Sequence, residues 1–208
     1  ARDLLPMHEI GLLQPEQQLQ RIWATLNEGV ADAPHPFHTT TLATMRHTDA
    51  GVVPVQRTVV LRDVDSDARQ LVIHTDARSP KVSDIQAHPA VSALFYDVDG
   101  RWQLTVTGPA HVHTHDALVE SRWQGVGTQS RECYRQPVAP STDLGEAPQP
   151  LVQASTAEGR ADSGLDAFAV ITIEIAEMEV LFLDHIAHLR RKWSFRDGTM
   201  FSARAVRF

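Results

Sequence analysis

Three cationic stretches hold the residues of this chain best suited to chemistry. In Arg57-Thr58-Val59-Val60-Leu61-Arg62, an extended backbone turns Arg57 to the side of Val59 and Leu61, and Arg62 to the side of Thr58 and Val60. A guanidinium that shares a face with core aliphatics needs a partner, because an unpaired buried charge is costly. A bound phosphate would supply one, and so would water at a strand end. In Thr75-Asp76-Ala77-Arg78-Ser79-Pro80-Lys81, Ser79 and Pro80 read as the cap and first position of a helix. Helix starts offer free backbone N–H groups and a positive dipole end. Hydroxyls and a lysine beside such a start make a phosphate cradle; a capped helix with solvated charges is the alternative. In His188-Leu189-Arg190-Arg191-Lys192-Trp193, adjacent arginines on a strand face opposite ways, so one at most enters a shared pocket. A basic edge strand that discourages aggregation is the other reading.

Two further groups carry less. His111, His113 and His115 alternate, which would put them on one strand face at a spacing able to hold a metal. No carboxylate or cysteine is obviously placed to complete such a site, so exposed histidines and no metal are expected. Cys133 is the single cysteine. It cannot form an internal disulfide, which fits a reducing cytoplasm, and with no obvious base near it a structural thiol is expected rather than a nucleophile.

The elements that must position these residues read mostly as strands. A helix is expected over about 15–29, with Leu19, Ile22, Trp23 and Leu26 at helical spacing and Gly29 as its end. Extended runs follow at 37–46, 52–64 and 70–75, then a short helix from Ser79-Pro80 to before Pro89. Strands resume at 90–96 and 101–115, the latter kinked at Gly108-Pro109, and Ala117–Trp123 and Ser130–Arg135 read as helical. Residues 137–164 are rich in Pro, Ser, Gly, Ala and acidic residues and read as a long exposed loop. Strands at 168–175, 179–183, 188–195 and 200–206 complete the pattern. Short polar turns between successive strands favour an antiparallel meander over βαβ units. About eight strands with peripheral helices point to a closed barrel in a single domain spanning 1–208.

Composition narrows the function classes. With 42% hydrophobic and 22% charged residues the chain is of ordinary globular type. A formal net charge of -7 argues against a nonspecific nucleic-acid binder or a protein drawn to anionic membranes. No apolar run is long enough for a membrane span, and the N-terminal residues lack a signal-peptide pattern; a cytoplasmic location is expected.

Taken in order, the motifs resemble the core of the pyridoxamine 5′-phosphate oxidase family. That family shows an Arg-x-Val-Leu-Leu-Lys strand, a Thr-Asn-x-x-Ser-x-Lys turn, an Asn-Pro-x-Val-Ser-Leu-Leu-Phe-like strand and a Gln-Val-x-Val-x-Gly strand. Here the matching pieces are Arg57 to Arg62, Thr75 to Lys81, His88-Pro89-Ala90-Val91-Ser92-Ala93-Leu94-Phe95 and Gln103-Leu104-Thr105-Val106-Thr107-Gly108. The resemblance implies an FMN-binding split β-barrel, mainly β, antiparallel and Greek-key-like. It implies that Arg57 and Lys81 grip the FMN phosphate, that Thr75 and Ser79 add hydrogen bonds, and that Thr58, Val59, Val60, Arg62 and His74 line the cofactor. Gln103, whose amide can both donate and accept, would address the ring edge from the partner subunit of a homodimer with FMN at the interface. Arg191, or else Arg190, would approach from the C-terminal strands.

The departures fall on the substrate side. The family's Arg-x-His pair reads here as Ile186-Ala187-His188, and its substrate-phosphate group, a Tyr followed by Arg and Ser, is kept only as Ser121-Arg122. Arg62 stands where lysine is usual, and the Arg-Leu-x-Pro ending is replaced by Arg204-Ala205-Val206-Arg207-Phe208. Arg122 and His188 remain the substrate candidates. Flavin binding is thus better kept than vitamin B6 recognition. The expected function is FMN-dependent oxidation or reduction of a small substrate, with no essential acid or base assigned. A flavin-binding module without turnover, and a split barrel for haem or a deazaflavin, are the alternatives.

Overall fold

The structure, a computed structural model, describes residues 13–143, 145, 164–183, 188–196 and 199–207. Period-two burial begins in β1 (Thr39–Thr48), where Thr40, Leu42 and Thr44 are buried between more exposed neighbours. It is followed by β2 (Gly51–Asp65), β3 (Gln70–Asp76), β4 (Ala90–Asp97), β5 (Trp102–His113), β6 (Phe168–Glu174), β7 (Glu177–Phe182), β8 (Leu189–Arg196) and β9 (Thr199–Arg207). Nine strands are thus present among the described residues, one for each extended run read from the sequence.

Every pairing is antiparallel. The order is β4-β1-β2-β3-β6-β5-β7-β8-β9, and β4 also pairs with β5. That added pairing closes β4, β1, β2, β3, β6 and β5 into a six-stranded ring and leaves β7, β8 and β9 as a flap extending from β5. Strand β5 makes the split possible. Its first part, Trp102–Thr107, is flanked by β4 and β7, while Ala110–His113 pairs with β6. Gly108 sits at the change of partner, where a Cβ would lie 1.8 Å from the Glu174 carbonyl oxygen. Only glycine lets the two backbones approach so closely.

Register sorts the side chains onto two faces. Leu42, Ala93, Val106, Met178 and Trp193 form one row across five strands and are inward; Thr41, Leu94, Thr105, Glu179 and Lys192 form the next row and face out. The inward rows are packed around Phe37, Phe95 and Trp102, with the Phe37 ring 5.2 Å from Phe95 and 4.6 Å from Trp102.

Helices cover the ends. In α1 (Pro15–Ala31), Ile22 and Leu26 are buried against the barrel. The helix runs past Gly29, which is not its terminator: a Cβ there would come within 2.7 Å of the Phe37 carbonyl group. After α2 (Pro80–Ala87), α3 (Ala117–Gln124) lays Val119 and Trp123 against Val72, Phe168 and Val170, on the outward face of β3 and β6. A one-turn helix, α4 (Thr128–Arg131), and a 3-10 turn at Glu132–Arg135 follow. Most of the 137–164 loop, and Ile186-Ala187 before His188, lie outside the described residues.

Candidate functional site

Lys81 is the centre of the first cluster. It follows Pro80, so its ammonium folds back over the turn from β3 to α2 and donates to the Thr75 hydroxyl at 2.9 Å and the Ser79 hydroxyl at 2.7 Å. Ser79 holds the N-cap position of α2, but its side chain caps nothing; the Val82 N–H instead meets the Ser79 carbonyl at 2.9 Å. Lys81 has diverted the hydroxyl. Both hydroxyl oxygens accept from one lysine, so each keeps an O–H to donate, and Lys81 keeps a third N–H.

Arg57 arrives from β2. Its register partner is the inward Leu42, so the guanidinium lies on the core face, as alternation from Val59 and Leu61 predicts. The partner it requires is supplied by the protein itself, in part. Asp84, buried on α2, accepts from Arg57 Nη2 at 3.3 Å, from Arg46 Nε and Nη2 at 3.0 and 2.9 Å, and from the Thr44 hydroxyl at 3.0 Å. Burial works to raise the Asp84 carboxyl, but the hydrogen bonds from Arg46 and Thr44 and the charges of Arg46 and Arg57 outweigh it, leaving the group below its usual value.

Positive charge is still in excess. Burial lowers the Lys81 ammonium, and the charge of Arg57 lowers it further. Burial likewise lowers Arg57, Asp84 pulls it back, and Arg46 adds to the lowering. Arg57 and Lys81 therefore feel one another across the turn. Asp76 and Asp84 pull Lys81 back, but Asp76 is itself paired with Arg78 at 2.6 Å, so four cations face two carboxylates. Such a cluster favours an added anion, and its free donors (two hydroxyls, an ammonium N–H and guanidinium N–H groups) have the character of a phosphate site.

A second cluster lies on the outward face, under α3 and α4. A cavity of about 410 Å³ is lined by Arg62, His74, Ser121, Arg122, Ser130 and Tyr134, together with the 125–127 backbone turn. Arg122 is braced by Asp63 at 2.5 Å, and no carboxylate pairs with Arg62 among the described residues. His74 packs edge-on to Phe168, centroids 4.9 Å apart, and its buried Nε2 has no hydrogen-bond partner in the described structure. Burial, reinforced by the charges of Arg62 and Arg122, pushes its imidazole down to about 4, so it is neutral at pH 7. Burial raises the Tyr134 phenol to about 12. Two arginines, hydroxyls and a neutral imidazole suit an anionic group on a small molecule.

The remaining sequence candidates divide by face. Thr58 is exposed and Val59 and Val60 are half-buried along β2. Gln103 pairs with the exposed Tyr96 and with Leu181, so it faces outward, opposite to Arg57. Arg190 shares that outward face and pairs with Glu179 at 3.5 Å. Arg191 is turned to the other face and donates to the Leu13 carbonyl at 3.4 Å. His188 is exposed just before β8, and Cys133 is exposed too, away from the core. Of the three histidines, His111 and His113 share one face of β5, opposite Thr172 and Val170, and His115 does not join them. His111 faces Glu174 at 3.6 Å, and His113 bridges Asp116 at 2.8 Å and Thr172 at 3.1 Å. His115 lies beyond the strand at φ 56. Asp84, Arg46, Thr44, Asp63 and Tyr134 are absent from any local motif; they join these clusters only through contacts far apart in sequence.

Residues 20–114 match the family model described as the pyridoxamine 5′-phosphate oxidase FMN-binding domain. Over those residues the chain is similar to that FMN-binding domain. Its matched stretch holds Arg57, Arg62, the Thr75–Lys81 turn and Gln103, and stops before Arg122. Among solved structures, a pyridoxamine 5′-phosphate oxidase-related, FMN-binding protein from Nostoc punctiforme PCC 73102 is 21% identical, with 94% of this chain and 98% of that chain covered at a TM-score of 0.68. PhzG from Burkholderia lata 383, solved in complex with tetrahydrophenazine-1-carboxylic acid, is 17% identical, with 100% and 98% covered at 0.61. At these identities the likeness establishes the split-barrel fold of the pyridoxamine 5′-phosphate oxidase-like family. Comparison with curated protein sequences returns no match.

Proposed function

We propose that this protein is a cytoplasmic FMN-dependent oxidoreductase that acts, as a homodimer, on a small substrate carrying an anionic group. The observation that carries the reading is the cradle of Thr75, Ser79, Lys81 and Arg57, cationic in excess and with free donors. A nucleotide-type phosphate would neutralise it, and the remainder of FMN would extend along β2 past Val59 and Val60. When bound, FMN supplies two-electron oxidation and reduction; the protein supplies position and electrostatics. Arg62, His74, Arg122 and Tyr134 line the cavity that would receive the substrate's anion. That PhzG was solved with a carboxylic acid supports an acidic substrate class here. Among the described residues no helix is long and apolar enough to cross a membrane.

Dimerisation is part of the reading. Gln103 and Arg57 lie on opposite faces of one sheet, so a single protomer does not bring both to one flavin, whereas a second copy against the outward face would. Arg190, on Gln103's face, is then the better candidate than Arg191 to meet the partner's flavin. The test is direct. Arg57→Ala with Lys81→Ala should abolish FMN retention in a fluorescence titration, while Asp84 keeps its two-pronged pair with Arg46 and the fold survives. Unchanged FMN affinity in that variant would falsify the assignment. A Soret band in the purified protein, in place of paired flavin bands, would instead favour haem.

A further inference from the structure

Arg57 carries five N–H donors, and three are already committed. Nη1 donates to the Leu42 carbonyl at 3.3 Å and to the Thr44 hydroxyl at 2.7 Å, and Nη2 donates to Asp84 at 3.3 Å. The Nε–H and the second Nη2–H have no partner among the described residues. Thr44, 1% exposed, uses its oxygen to accept from Arg57 and its own proton to reach the same Asp84 oxygen. Asp84 itself is 5% exposed, and its other oxygen is taken by Arg46 Nε. The guanidinium plane is thus fixed from one side by a buried carboxylate, a buried hydroxyl and a strand carbonyl, and its two open donors share the opposite edge.

We propose that Asp84 is a positioning residue for phosphate recognition: acting through Thr44 and directly on Nη2, it holds Arg57 so that its two open N–H groups converge on the phosphate with Lys81. This rests on the reading of the cradle as an FMN phosphate site. Two effects of Asp84 oppose each other. Its negative charge by itself repels a phosphate, so a purely electrostatic role means that removing the charge tightens binding. Its geometric role means the reverse, since a bidentate guanidinium contact loses its strength when the fork can rotate. Orientation outweighs charge here, because Asp84 is already neutralised by Arg46 on both oxygens.

The experiment compares FMN with riboflavin, which lacks the phosphate, by titration of flavin fluorescence against the full chain. Asp84→Asn should weaken FMN by about tenfold or more while riboflavin stays within about twofold. In an Arg57→Ala background the same substitution should change FMN affinity by less than about twofold, because the residue it acts through is gone. FMN binding that is unchanged or tighter in Asp84→Asn overturns the proposal, as does an equal weakening of FMN and riboflavin, which would mark a general structural role. Should Asp84→Asn not fold, Thr44→Val removes the relay hydroxyl alone, and an FMN loss of about threefold with riboflavin unmoved is expected; no loss overturns the proposal. A wild-type protein that binds no FMN refutes the cradle reading itself, whereas one that binds FMN and ignores Asp84 refutes only this inference.

Discussion

At the scale of single residues, the site is governed by who pairs with whom. His74 is the clearest case, because nothing in the described structure answers its Nε2 and two arginines lie near. Its folded value of about 4 is below the ordinary 6.5, so as pH falls the unfolded chain takes up the proton first. Stability is full above about pH 6.5 and is lost as pH falls from there towards 4. For a partly solvated ring the loss is about 1–2 kcal/mol after allowance for screening. Melts at stepped pH should show His74→Gln with a shallower decline in Tm than wild type across that window; parallel curves would contradict the assignment. Asp84 acts lower down. Its carboxyl lies below the usual value, so its contribution is present above that ordinary value and is lost only as pH falls further.

At the scale of elements, the split depends on one strand serving three neighbours. Gly108 permits β5 to exchange β7 for β6 along one edge while it stays paired with β4 through Pro109, since any side chain would strike the Glu174 carbonyl. Gly108→Ala should cost about 3 kcal/mol or more in a urea titration, because backbone rather than a flexible side chain must yield. Gly127 is the matched control, since a Cβ added there would meet nothing within 4 Å. Gly127→Ala should stay within about 0.5 kcal/mol of wild type. Helix α3 is the other decisive element. Asp116 caps it through the Val119 N–H at 2.9 Å and also holds His113, and the helix in turn carries Arg122 to the second cavity.

At the scale of the whole molecule, the outward face of the ring is the surface that matters. Leu94 and Tyr96 on β4 are 37% and 47% exposed beside Gln103, an apolar patch that a second copy would cover in the dimer proposed above. Cofactor binding and association then stabilise one another. Leu94→Arg should shift the protein to monomer in sedimentation and weaken FMN by about tenfold; a monomeric wild type with full FMN affinity would contradict the coupling.

What sequence determines is local and periodic. Alternation places Arg57 with the core aliphatics, Ser79-Pro80 starts a helix, and Gly108 bends a strand, because each follows from backbone geometry within a few residues. The Arg57-to-Gly108 motif order also points to the family, since it repeats a pattern of spacings. Tertiary structure decides the rest. Asp84 meets Arg57 and Thr44 across 27 and 40 residues, Ser79's hydroxyl turns from capping to Lys81, and Arg190 and Arg191 take opposite faces by the register of β7 with β8. No local signal encodes those choices. Pairing energy depends on distance in space, and only closure of the barrel sets that distance.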